Sequence, residues 1–481
     1  MHPESPVGSP RNSSRAGGSR AHAARFTCHP HLPPRHALRY GARVSRYLCQ
    51  PATAVINAVV SLPGSKSITN RALVIAGLAD GTSVLRDILI ADDTRLMIDA
   101  LANLGIRITL DGHRLLAEVS GVGGRVGADE ADVFCGNAGT VMRFGMAIAA
   151  LGVGDFRFDG VDRMRKRPIG ALARALQALG AGIEYQSDDG LPPLVVHASG
   201  LHGGHVSIDS PESSQMISAL LMVAPYAAGD LFLEVTGAVP SVPYLKLTTA
   251  IMQKFGVAVV EQYDDSGAKF IVETPQRYQA TNLAIEPDAF NATYFWAAAA
   301  VTGGRVTVTG IGTDSLQGDA RFVDVLERMG CRVERSVESL TVVGPAHPKR
   351  LAGIDVDLNA MPDTVQTLAV VALFADGPTT IRNVANLRVK ETDRLTALRR
   401  ELSKMGAAVE EFPDGLRITP PPTIHPAAID THGDHRMTMS FAVAGLKVPG
   451  LVINNPECCA KTFPDFFERF ETMRSNDVFT R

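Results

Sequence analysis

Ala100-Leu101-Ala102-Asn103-Leu104-Gly105-Ile106-Arg107-Ile108 reads as a helix that stops at a glycine and turns straight into a strand. The same reading applies to ALQALGAGI, IMQKFGVAV, VLERMGCRV and LSKMGAAVE, whose glycines are Gly180, Gly256, Gly330 and Gly406. The five glycines are spaced by 75, 76, 74 and 76 residues. A second series runs in phase with the first. Small-residue, apolar helices end in turns at Gly81, Gly154, Gly229, Gly303, Gly377 and Gly450, spaced by 73, 75, 74, 74 and 73. A fixed period of this kind predicts six copies of one unit, about 75 residues each. The helix expected over Pro464–Met473 falls where the sixth member of the first series belongs. Short β-rich pieces such as Gly304–Gly310, Leu340–Val343 and Leu451–Asn454 lie between the helices, so each unit is α/β and six units make two domains of three.

The second helix series is unlike surface helices. MISALLMVAPYAA (216–228), YFWAAAAV (294–301) and TLAVVALFA (367–375) are apolar nearly all round. A helix without a polar face is buried on every side, which predicts helices inside and sheets outside. No βα repeat recurs every 30–40 residues, which disfavours a TIM barrel.

Polar residues collect where these interior helices begin: Gly64–Arg71, Gly136–Thr140, Ser213–Gln215, Asp288–Thr293, Pro362–Thr364 and Gly433–Arg436. Taken singly, each reads as ordinary N-capping. Taken together, parallel helices would aim their positive ends at one face and attract anions there. Lys66, Arg71, Arg436, Lys461, the run Arg163-Met164-Arg165-Lys166-Arg167 and the pair Lys390 and Arg394 add positive side chains to it. The densest stretch is Asn386-Leu387-Arg388-Val389-Lys390-Glu391-Thr392-Asp393-Arg394, five of whose nine residues are charged. A phosphate or carboxylate ligand fits such a surface. Asp363 and Glu391 lie among the cations, either as counter-ions or as a general acid and base.

Composition limits the remaining classes. The 481 residues are 45% hydrophobic and hold no uninterrupted apolar run of membrane-spanning length, so no membrane partner is expected. Residues 1–50 carry eight arginines and one glutamate, about +7, against −3 for the whole chain, which leaves about −10 on the body. An acidic body argues against nucleic acid as a partner. Residues 1–52 read as a disordered basic tail or a start placed too early, with an organellar transit segment as the minor reading. The six cysteines show no CxxC spacing, which favours a reducing, cytoplasmic setting. His432 and His435 flank Asp434 without a third ligand nearby, so no metal is expected. GSKS lacks the glycines of a nucleotide P-loop. Cys135 has no histidine base in view and reads as a structural thiol.

Nine motifs then occur in order: LPGSKSITNRAL, GNAGTVMR, RMRKRPIG, SSQ, SVPY, MPDT, NLRVKETDR, GDHRM and AKTFPD. Over residues 53 to 470 the chain resembles the EPSP synthase (3-phosphoshikimate 1-carboxyvinyltransferase) family. The resemblance implies a two-domain inside-out α/β barrel of six βαβαββ units, three per domain. One domain would comprise 65–284 and the other 53–64 with 285–481, joined by two crossover strands. It implies a monomer without a cofactor that transfers the enolpyruvyl group of phosphoenolpyruvate to shikimate 3-phosphate, a step of aromatic amino-acid biosynthesis. Catalysis would rest on Asp363 as base, Glu391 as proton donor and Lys66. Shikimate 3-phosphate would meet Lys66, Ser67, Arg71, Ser213, Ser214, Gln215, Ser241, Asp363, Asn386 and Lys390, with Tyr244 lining its pocket. Phosphoenolpyruvate would meet Lys66, Gly139, Arg163, Gln215, Arg394, Arg436 and Lys461.

Two positions depart from the family pattern. Phe144 stands where many members carry proline, close to Gly139, and bears on the response to glyphosate. Phe290 stands where a small polar residue is common. The related UDP-N-acetylglucosamine enolpyruvyl transferases carry a reactive cysteine where this chain has Asp162–Arg167, and none is present here. A non-catalytic anion-binding protein on the same scaffold would be expected to lose Asp363, Glu391 or Lys66.

Overall fold

The computed structural model describes residues 45–475. Helices of the glycine-terminated series run over Asp92–Asn103, Gly170–Ala178, Val242–Lys254, Phe322–Arg328 and Arg394–Lys404. Each is followed two residues later by its glycine, and all five glycines have φ between 87° and 104°. Only glycine adopts that backbone without strain, so the periodic motif is a periodic left-handed helix stop.

Five four-stranded sheets and one of three strands lie among the described residues. In one complete unit, Glu130–Phe134 pairs in parallel with Val153–Asp159, which pairs antiparallel with Leu194–Ser199, and that in turn with Gly182–Tyr185. The interior helix Gly139–Ala149 makes the parallel crossover, and the second helix leads into the hairpin. This is the expected βαβαββ unit, and the α/β fold is as the sequence predicts. Two strands trade places between halves. Asn57–Val60 pairs in parallel with Arg305–Thr309, and Asn282–Ala284 pairs in parallel with Thr82–Arg86. The chain therefore crosses twice between two separate hydrophobic cores. One gathers side chains from Ile68 to Ile285; the other joins Cys49–Leu62 to Ala289–Met473.

The interior helices are Lys66–Leu78, Gly139–Ala149, Ser214–Val223, Ala289–Thr302, Val365–Val371 and His435–Gly445. Every residue of Gly139–Ala149 and of His435–Gly445 is buried. Strands such as Leu231–Thr236 alternate between buried and more exposed positions, as an outer layer with one wet face must. Trp296 lies wholly inside and donates its indole N–H to Leu340 O at 3.2 Å. No helix of the described residues is long and apolar enough to cross a membrane.

The sixth unit departs from the others. Arg46–Leu48 adds an antiparallel strand to Val452–Asn454, in the sheet with Ala428–Asp430. Residues 45–52 thus belong to the folded body and not to the disordered tail assigned to 1–52; residues 1–44 lie outside the described residues. Cys49 is buried against Gly445, and the Tyr47 ring packs 4.1 Å from that of Phe467. A three-residue strand in an arginine-rich segment has no hydrophobic period, and the edge it needs is about 400 residues away in sequence.

Candidate active site

The site grows from the starts of the interior helices. Ser65 caps Lys66–Leu78 by accepting from Ile68 N, Ser213 accepts from Gln215 N at 3.3 Å, and Asp434 accepts from Arg436 N at 2.9 Å. Asp288 accepts from Asn291 N at 2.9 Å and also from Lys66 N at 3.0 Å, which ties two helix starts together. These are the ordinary caps the sequence suggested, and they present Lys66, Gln215, Arg436 and their neighbours at one face.

Arg394 is the centre of the charged cluster. It opens the helix Arg394–Lys404 behind the cap Asp393 and is only 1% exposed. Its guanidinium donates through Nη1 to Asp363 at 2.8 Å, through Nη2 to Glu391 at 3.0 Å and through Nε to Asp434 at 2.7 Å. Arg436 Nη2 reaches the other oxygen of Asp363 at 2.8 Å. Lys461 pairs with Asp93 and stands 3.6 Å from Glu391, while Lys66 pairs with the other Asp93 oxygen at 3.0 Å. Burial would raise the carboxyl pKa values of Asp363 and Glu391, but the surrounding cations outweigh it and hold both below the usual range. Arg436 and Arg394 do this for Asp363; Arg394, Arg167 and Lys461 do it for Glu391.

Lys390 makes no ion pair among the described residues, and burial pushes its ammonium down to about 8 despite the nearby Asp363. Arg71 donates to Thr248 Oγ1 at 2.7 Å and to Ser67 O at 3.1 Å with no carboxylate partner among the described residues, and burial lowers it to about 10. Its guanidinium lies 5.5 Å from the Phe144 ring, so Phe144 packs beneath Arg71. Lys66, Ser67, Tyr244, Phe290, Asp319 and Arg436 border a narrow cavity of about 420 Å³, mouth included. Ser213, Ser214, Ser241, Asn386 and Lys390 do not line that cavity. Ser241 starts its helix in a left-handed conformation, and Asn386 Oδ1 is buried without a partner among the described residues.

Arg163 and Arg167, both of the RMRKRP motif, reach different partners. Arg163 donates to Lys390 O at 2.9 and 2.6 Å and to Arg388 O at 3.3 Å, so its guanidinium holds the backbone of the Asn386–Arg394 loop. The arginine of that motif that borders Gly139 is Arg167. A Cβ on Gly139 would lie 2.7 Å from Arg167 Nη2, 2.6 Å from Arg143 Nη1 and 3.1 Å from Gln215 Oε1. The 3₁₀ turn Met164–Lys166 separates the two arginines and carries them to different places, which a run of alternating cations does not reveal.

Several residues of the site were not singled out. Asp93 bridges Lys66 and Lys461; Arg143 donates to Gln215 Oε1 at 3.0 Å; Asp434 anchors Arg394; Asn137 O accepts from Arg167 at 2.8 Å and from Lys461 at 3.3 Å. Arg143 and Asn137 belong to the GNAGTVMR motif, and Asp93 lies 12 residues before Gly105 as Arg394 lies 12 before Gly406, so both signals were available. The two histidines part company. His432 Nε2 pairs with Glu401 at 2.9 Å, while His435 is fully buried with Nδ1 3.5 Å from Asp434, and burial, then the charge of Arg436, hold its pKa well below normal. Arg388 pairs with Asp393 at 2.9 Å and Glu411 at 2.8 Å, a structural use of both charges.

The profile of EPSP synthase (3-phosphoshikimate 1-carboxyvinyltransferase) matches residues 51–470. A 3-phosphoshikimate 1-carboxyvinyltransferase of Nostoc punctiforme is 49% identical over 418 residues, 87% of this chain and 96% of the relative. That of Shewanella baltica is 45% identical over 417 residues, 86% and 96% of the two chains. The solved EPSP synthase of Acinetobacter baumannii superposes with a TM-score of 0.73 at 25% identity, covering 89% of this chain and 98% of that one. With the family profile spanning residues 51–470 and a relative near half identity over 418 residues, the chain belongs to the EPSP synthase family.

Proposed function

We propose that this protein transfers the enolpyruvyl group of phosphoenolpyruvate to the 5-hydroxyl of shikimate 3-phosphate and releases inorganic phosphate. The observation that carries the reading is the pair of carboxylates on one guanidinium. Asp363 and Glu391 hang from different nitrogens of Arg394, at 2.8 and 3.0 Å, so a base and an acid are held a fixed distance apart. Addition needs that arrangement. The hydroxyl oxygen bonds to C2 of phosphoenolpyruvate, its proton goes to Asp363, and C3 receives a proton from Glu391. In the second stage C3 returns a proton, the C2–O bond to phosphate breaks, and the double bond re-forms.

Six cationic side chains, Lys66, Arg167, Lys390, Arg394, Arg436 and Lys461, face four carboxylates, Asp93, Asp363, Glu391 and Asp434. That excess suits two polyanionic substrates. In our assignment phosphoenolpyruvate is held by Lys66, Arg163, Arg394, Arg436, Lys461 and Gln215 against the Gly139 backbone, with Arg167 beside that glycine. Shikimate 3-phosphate is held by Lys66, Ser67, Arg71, Ser213, Ser214, Gln215, Ser241, Asp363, Asn386 and Lys390. Anions on Arg394 and Lys461 remove the charges that keep Glu391 ionised, so its pKa rises when phosphoenolpyruvate binds. Substrate binding thereby turns a counter-ion into a proton donor. The test is phosphate release from phosphoenolpyruvate with and without shikimate 3-phosphate. Release only with both present is the expected result; no release with both present overturns the reading.

A further inference from the structure

Arg436 is held in an unusual way. It is buried, and its guanidinium has one hydrogen bond, from Nη2 to Asp363. Nε and Nη1 have no hydrogen-bond partner among the described residues. What fixes the group instead is a ring: the guanidinium carbon lies 3.4 Å from the centroid of Phe290. At that separation the two planes are in van der Waals contact, face over face.

Phe290 is itself braced. It is the second residue of the helix Ala289–Thr302, whose cap Asp288 is bonded to the start of the Lys66 helix. Tyr294, one turn on, meets it edge to face at 5.3 Å, and Phe466 meets Tyr294 in turn at 5.7 Å. A polar side chain at 290 would compete for the arginine N–H groups. The phenyl face fixes the guanidinium plane and consumes none of them, because all five donors of an arginine lie in that plane.

We propose that Phe290 is a positioning residue for phosphoenolpyruvate: by stacking on Arg436 it holds Nε and Nη1 ready for an anionic oxygen of that substrate. The inference rests on the function proposed above, in which Arg436 binds phosphoenolpyruvate. Ordering the plane in advance lowers the cost of binding and leaves the chemical step alone, so the effect belongs in KM for one substrate.

The experiment is steady-state kinetics on wild type, Phe290→Leu, Phe290→Met and Phe290→Tyr, varying each substrate in turn. Leucine and methionine keep apolar bulk and remove the ring face; tyrosine keeps the face. Losing a desolvated cation–ring contact is worth a factor of about five to twenty. The expected result is that rise in KM for phosphoenolpyruvate in the leucine and methionine variants, with kcat and the KM for shikimate 3-phosphate within about twofold of wild type, and recovery in the tyrosine variant. Unchanged KM for phosphoenolpyruvate in whichever ring-less variant folds would overturn the proposal. So would equal losses for both substrates that tyrosine fails to restore, which mark a packing role only. A wild type that releases no phosphate with both substrates present defeats the function itself, and is separated from either outcome by that first measurement.

Discussion

Glu391 has one oxygen on Arg394 and the other toward Lys461, so removing its charge should separate binding from chemistry. Glu391→Gln keeps the shape and can still accept from Arg394. It is expected to bind shikimate 3-phosphate within a few-fold of wild type while kcat falls by about 10²–10⁴, the usual worth of a general acid. Near-normal turnover would remove Glu391 from the mechanism. Lys390 gives a pH signature. Its folded pKa of about 8 lies below the value of an unfolded lysine, so from about pH 8 to 10 the unfolded chain binds more protons and this group makes folding more favourable as pH rises. Binding of an anion runs the other way, because it needs the ammonium. Affinity for shikimate 3-phosphate should be full below pH 8 and weaken as pH rises through it, measured by titration from pH 6.5 to 9.5. Lys390→Arg should flatten that dependence; an equal decline in the arginine variant would assign the titration to another group.

At the scale of elements, the short strand Arg46–Leu48 and the closing helix Phe466–Ser475 support each other. Tyr47 packs on Phe467 and hydrogen-bonds Glu471, and Arg474 donates to Pro51 O at 3.3 Å. A chain begun at Thr53 loses this strand, the buried Cys49 and three aromatic and polar contacts. Its thermal unfolding midpoint is expected to fall by several degrees, equivalent to about 2–4 kcal/mol, and an unchanged midpoint would mean the strand adds nothing. The repeat was legible because five helices of the first series end in a left-handed glycine, a local requirement visible at Gly105 and again at Gly406. Arg46–Leu48 was not legible because a three-residue strand is made by its partner, and its own sequence carries no period.

At the scale of the molecule, the contacts across the cleft join the two cores at several points. Arg163 reaches the Lys390 carbonyl, Lys461 reaches Asp93, and Tyr244 donates to Asp319 at 2.7 Å. Bringing Lys66, Arg167, Arg394, Arg436 and Lys461 together costs repulsion that bound anions relieve. Addition of both ligands should therefore favour the arrangement in which these contacts are made, seen as a smaller radius of gyration in solution scattering; superimposable curves with and without ligands would count against it.

By itself the sequence determined the repeat, the burial of the apolar helices, the caps at their starts and the concentration of cations there. These are local properties, set by glycine stereochemistry, helical periodicity and side-chain charge. Only the tertiary structure decided which charges meet. It put Asp363, Glu391 and Asp434 on one arginine, gave Lys66 and Lys461 a shared Asp93, sent Arg163 to a backbone and Arg167 to Gly139, and laid Phe290 beneath Arg436. Such pairings join residues up to several hundred positions apart. Their geometry follows from how six units pack around two cores, which no single stretch of the chain encodes.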